Sequence, residues 1–130
     1  MASYQDGGSP EVAGDQASFS LREVGECAVV AASGEIDLYT VPVLRETLLA
    51  AMASTAHRVV LDLAGVTFLD SMGMGAMVGA MNRAQADGKT MCLVGPAGPV
   101  RKVLSITRLD EVFEIYASLE SAVEHRTTSA

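Results

Sequence analysis

Histidine is scarce in this sequence, and that scarcity limits its chemistry more than anything it has in plenty. Only His57 and His125 occur among 130 residues. Neither sits near a serine in a pattern that would let it act as a general base, so serine hydrolysis has little to work with. Cysteine is equally sparse. Cys27 and Cys92 lie far apart inside aliphatic runs, without a Cys-x-x-Cys pair or a histidine cluster; this disfavours disulfide and metal roles and suits two reduced, buried thiols. Catalytic residues, a metal and a cofactor are therefore not expected. No apolar stretch reaches the roughly 18 residues needed to cross a bilayer, because Asp62, Asp70 and Arg83 interrupt the candidates. The chain's beginning lacks the basic start and apolar run of a signal peptide. With reduced thiols, this favours the cytoplasm and no membrane contact. A basic stripe is missing too: nine Lys and Arg are scattered among 16 acids, for a net charge of -7. Nucleic acid is not an expected ligand, whereas a protein partner with a basic surface is compatible with that field.

What is present reads as one domain with one core, since the chain is 49% hydrophobic and of a length that buries roughly 65 to 70% of its unfolded surface. Residues 1–16, with Gly7, Gly8, Ser9, Pro10 and Gly14, read as a disordered leader. Residues 17–126 form the domain, and residues 127–130 a frayed tail. Residues 18–24 and 27–33, broken at Gly25-Glu26, read as a β-hairpin. Gly34-Glu35-Ile36-Asp37 then leaves the sheet, and Thr40-Val41-Pro42 opens a helix with Val41, Leu44, Leu48 and Met52 on one stripe. Residues 58–63 form an almost wholly apolar strand, followed by a turn at Ala64-Gly65-Val66-Thr67. A helix through Met77, Val78, Met81 and Ala84 runs to the stop signal Asp87-Gly88. A strand over residues 90–94, a helix carrying Val100, Val103, Leu104 and Thr107 inward, a strand over 112–116 and a helix over 118–124 complete the pattern. Strands alternating with helices imply an α/β fold with a mostly parallel sheet of about five strands and an antiparallel hairpin at its start.

The chemistry concentrates in Leu69-Asp70-Ser71-Met72-Gly73-Met74-Gly75-Ala76, at a strand-to-helix junction. Gly73-x-Gly75-x-x-x-Gly79 has the spelling of a dinucleotide loop, but a fingerprint puts its first glycine directly after the strand and an acid about 20 residues on. Here the glycines fall within the helix, where they let it approach its neighbours or a partner closely. Ser71 as a nucleophile lacks a base. Asp70 or Ser71 as a helix cap is the plain alternative. Since Gly34-Glu35-Ile36-Asp37 ends a strand at the same edge of the sheet, two acidic loops should adjoin an exposed serine. That suits a surface controlled by phosphate.

Two segments carry a further likeness: Gly34-Glu35-Ile36-Asp37 before a helix, and Leu61-Asp62-Leu63 followed by Phe68-Leu69-Asp70-Ser71-x-Gly73-x-Gly75. They resemble the STAS domains of bacterial anti-sigma factor antagonists, over about residues 17–125. The resemblance implies helices stacked on one face of the sheet and phosphorylation of Ser71 by a cognate anti-sigma factor, a GHKL-type serine kinase that the unmodified antagonist sequesters. A PP2C-type phosphatase would reverse the modification. It also implies a partner surface comprising Asp37, Asp70, Met72, Gly73, Met74 and Gly75, on a monomer or weak homodimer. Met72 stands where the family usually has a smaller residue, and Arg108 where glycine is common. The alternative reading is a STAS module of another assembly, a stress-signalling complex or a lipid-transport subunit, without phosphate control.

Overall fold

The structure is a computed structural model that describes residues 11–13 and 16–124. Six strands form one sheet in sequence order: β1 (Glu11–Ala13), β2 (Ala17–Val24), β3 (Cys27–Ile36), β4 (Arg58–Leu69), β5 (Thr90–Val94) and β6 (Glu114–Tyr116). The first three pair antiparallel and β3 through β6 pair parallel. Four helices intervene or follow: α1 (Val41–Ala53), α2 (Ser71–Ala86), α3 (Gly98–Ile106) and α4 (Leu119–Glu124).

The apolar runs of β3, β4 and β5 have no polar face because both sides of the central sheet are covered. Ala28, Val30, Val59, Leu61, Met91 and Leu93 face the main core, which also takes Val41, Leu44, Leu48 and Met52 from α1 and Met77, Met81 and Ala84 from α2. The alternate residues Cys27, Val29, Val60, Cys92 and Val94 form a smaller cluster closed by Ala122 of α4. The three longer helices thus share one face, as the resemblance implies, and short α4 lies on the other. Both thiols are free and buried in that smaller cluster. Their strands flank β4 and their partners on it, Arg58 and Val60, are two residues apart, so the thiols' Cα atoms stand about 11 to 12 Å apart, too far for a disulfide.

Several boundaries differ from the sequence reading. Strand β1 lies inside the stretch expected to be a leader; residues 1–10 and the tail expected over 127–130 lie outside the described residues. The segment Gly34-Glu35-Ile36 stays in the sheet, because Gly34 adopts φ 86° and the register with β4 shifts there. A side chain at Gly34 would run into the Gln16 carbonyl, whose oxygen accepts from Glu35 N–H at 2.8 Å. The bulged continuation carries β4 along with it, so the expected turn at Ala64-Gly65-Val66-Thr67 is strand. Thr107 is exposed and donates to the Val103 carbonyl at 2.7 Å, a bond that satisfies its hydroxyl at the helix end. Only Glu114–Tyr116 pairs as the last strand, since a single 3-10 turn at Leu109–Glu111 occupies the chain just before it. Arg108 opens that turn at φ 62°, in the left-handed region where a side chain costs about 1 to 2 kcal/mol.

A candidate partner surface at the end of the sheet

Extension of β3 and β4 brings two loops together. Ile36 pairs with Leu69, and Asp70 N–H donates to the Ile36 carbonyl at 3.1 Å. Asp37 and Asp70 therefore follow directly from paired residues. Each carboxylate organises backbone. Asp70 Oδ1 accepts from the N–H groups of Met72 at 2.9 Å and Gly73 at 3.0 Å, capping α2. Asp37 Oδ1 accepts from Tyr39 N–H at 2.9 Å and Thr40 N–H at 3.1 Å. The expected cap, Thr40, is buried instead: its hydroxyl donates to the Glu35 carbonyl and accepts from Asp37 N–H, both at 2.9 Å. The two carboxylates thereby hold the turns in place.

Gly73 is buried, and a side chain there would stand 2.5 Å from Leu69 Cδ1 and 2.7 Å from Ile36 Cγ2. The close approach it permits is internal, of the first turn of α2 to the ends of β3 and β4. Met74 is half-buried and packs on the core. Gly75 and Gly79 meet nothing within 4 Å, so the internal close approach expected of them is absent. Gly75 faces outward.

With the capping groups turned inward, other atoms face out. Ser71 is exposed at the first position of α2. Around that end of the sheet Tyr39 is 80% exposed, Leu38 56%, Phe68 47% and Met72 37%. Sequence reasoning found Met72 and missed the other three. An apolar pair directly after Gly-Glu-Ile-Asp, in what reads as a turn, was the available signal for Leu38 and Tyr39; Phe68 was obscured because residues 64–67 read as loop.

The opposite end of β4 holds His57, which is exposed. A 12-residue strand separates it from Ser71, roughly 40 Å of extended chain. His125 lies outside the described residues. Among the described residues, no group of three or more His, Cys, Asp or Glu side chains could hold a metal ion, and no helix is long and apolar enough to cross a membrane.

A single α/β domain that presents an exposed serine at a capped helix start, with exposed apolar side chains at the same end of the sheet, has the features of a protein-recognition module. Its kinship is specific: the family model of the STAS domain matches residues 18–122, and the chain belongs to that family. An anti-sigma-B factor antagonist of Staphylococcus epidermidis is 31% identical over 91 residues, 70% of this chain and 84% of that protein. Among solved structures, an anti-sigma factor antagonist from Mycobacterium paratuberculosis superposes with TM-score 0.77 at 28% identity, covering 85% of this chain and 94% of that one. The anti-sigma factor antagonist SpoIIAA in its unphosphorylated form matches with TM-score 0.71 at 26% identity, over 82% of this chain and 93% of its own. The phosphorylated form of the same Bacillus protein matches with TM-score 0.65 at 26% identity, over 82% and 96%.

Proposed function

We propose that this chain is an anti-sigma factor antagonist that sequesters a cognate anti-sigma factor, a GHKL-type serine kinase, and is released from it by phosphorylation at Ser71. A PP2C-type phosphatase restores the binding form, and the pair of reactions controls a sigma factor in the cytoplasm. The observation that carries this reading is the exposed Ser71 hydroxyl at the start of α2, on backbone fixed by the Asp70 cap and the Gly73 approach. The named relatives, among them one solved both with and without phosphate, support it. Exposed Tyr39, Leu38 and Met72 are the apolar anchors of the partner contact.

Two electrostatic effects oppose each other when Ser71 gains a phosphate of charge about -1.5 to -2. The helix N-terminus favours the anion by about 0.3 to 1 kcal/mol when exposed. Asp70 has already engaged the N–H groups of Met72 and Gly73, so the phosphate adds charge beside a carboxylate. Within a packed interface that dianion must be desolvated, at several kcal/mol if unpaired. The second effect dominates, so phosphate leaves the fold intact and removes the partner. Incubating the chain with its candidate anti-sigma factor and ATP, followed by phosphopeptide mapping, tests the assignment. One phosphate on Ser71 and none on Ser71→Ala is expected; a phosphate elsewhere on the wild type overturns it.

A further inference from the structure

A groove runs between α1 and α2, its α2 wall starting at Gly75, one turn after Ser71. It encloses about 330 Å³ and is lined by Leu48, Leu49, Met52, Ala76 and Ala80, with Gly75 and Gly79 along one wall and Arg45 and Arg83 at its margins. Leu49, at its mouth, is 50% exposed. The lining from Gly75 to Arg83 spans nine residues of α2, about 12 Å of helix axis. That is the reach of two turns of a partner helix, long enough for anchors at positions i, i+3 or i+4 and i+7.

Charge selects the occupant. The chain carries -7 overall, yet both charged residues lining this groove are arginines. Arg83 pairs with Asp87 at 3.3 Å at the end of α2, on the surface, where such a pair is weak and yields to a better partner. Arg45 is exposed. The floor wants aliphatic side chains and the margins want carboxylates. Gly75 and Gly79 fit the same occupant: each weakens the helix against alanine, and neither is needed by internal packing, since a side chain there would meet nothing within 4 Å. Their open backbone lets a second helix come close.

We propose that the α1–α2 groove is a docking surface for an amphipathic helix of a protein partner, with an aliphatic stripe flanked by acidic residues. It does not depend on the Ser71 reading. The test uses the full chain, isotopically labelled, titrated with two synthetic helices of about twelve residues that share one leucine stripe. One is flanked by glutamates and the other by lysines. The glutamate helix shifts the amides of Leu49, Gly75 and Gly79, and binds at least about tenfold more tightly than the lysine helix. Gly79→Leu fills the groove, keeps or raises the melting temperature, and weakens the glutamate helix about tenfold or more. Equal binding of the two helices, shifts mapping elsewhere, or no binding overturns the proposal. Sodium dodecanoate alone reproducing the groove shifts would replace it with a small amphiphile site. Self-association abolished by Gly79→Leu would replace it with a second copy of this chain.

Discussion

The two ends of the parallel sheet use charge in opposite ways. At the carboxyl end of β3 and β4, Asp37 and Asp70 spend their oxygens on backbone N–H groups, and apolar Leu38, Tyr39, Phe68 and Met72 stand in solvent. At the amino end a cation is buried. Arg58 is 7% exposed; its Nη2 donates to Tyr116 Oη at 3.1 Å and to Glu114 at 3.4 Å, its Nη1 to Thr90 at 3.4 Å, and its guanidinium lies 5.5 Å from the Tyr116 ring centroid. Nearby Lys89 Nζ donates to the carbonyls of Ser54 and Ala56, both at 2.7 Å, tying the α1–β4 connection to β5. One end is built to hold strands together. The other fixes its backbone and leaves a hydroxyl and apolar groups exposed.

Within α2, glycine is treated differently at the carboxyl end of the sheet and farther along the helix. Gly73→Val at the carboxyl end should cost about 3 kcal/mol in urea unfolding, because Ile36 and Leu69 must move. Gly79→Ala, in the same helix but over open space, should instead gain about 1 kcal/mol. Equal effects would erase the distinction between an internally required glycine and a free one.

The amino end should respond to alkali. Burial pushes the Cys92 thiol from about 9 up to about 11, with the neighbouring Arg58 charge pulling the other way. Burial likewise raises Cys27 and Tyr116. A raised value means the folded chain holds its proton where the unfolded chain releases it, so the stabilisation is complete below pH 9 and lost as pH rises towards 11. For Cys92 the loss is on the order of 3 kcal/mol. Cys92→Ala should flatten the fall in unfolding free energy between those limits; an unchanged slope would assign the titration elsewhere.

Smaller effects separate the ends further. Asp70→Ala removes two backbone acceptor bonds and should cost about 1 to 2 kcal/mol by urea unfolding, with Asp70→Asn recovering most of it. Arg108→Gly, at the left-handed position after α3, should stabilise by up to about 1 kcal/mol. It should leave partner binding unchanged, since α3 begins after the carboxyl end of β5 and finishes at the other end of the sheet.

The legible parts of the fold were those carried by local periodicity. The stripe Val41, Leu44, Leu48, Met52 and the apolar runs of β3, β4 and β5 announced their elements, and the junction at Asp70-Ser71 announced the capped start of α2. What was hidden depends on distant chain. Gly34 and Gly65 read as turn residues because nothing local says that β3 and β4 will pair across a bulge. Arg58 read as the first residue of a strand; its burial rests on Thr90, Glu114 and Tyr116, which lie 32, 56 and 58 positions away. The outward turn of Leu38 and Tyr39 follows from the Asp37 cap, whose geometry exists only once Thr40 is buried beneath it. The partly covered second face was hidden for the same reason, since α4 reads as a helix but not as one that crosses to the other side.

The central claim is that a phosphate on Ser71 acts on the interface and not on the fold. Calorimetric titration of the candidate anti-sigma factor into unmodified and Ser71-phosphorylated chain, with thermal unfolding of both, tests it directly. The account predicts binding weakened by about a hundredfold or more, which is roughly 2.7 kcal/mol, and melting temperatures that agree within about 3 °C. Equal affinities, or a loss of binding matched by a loss of stability, would contradict it.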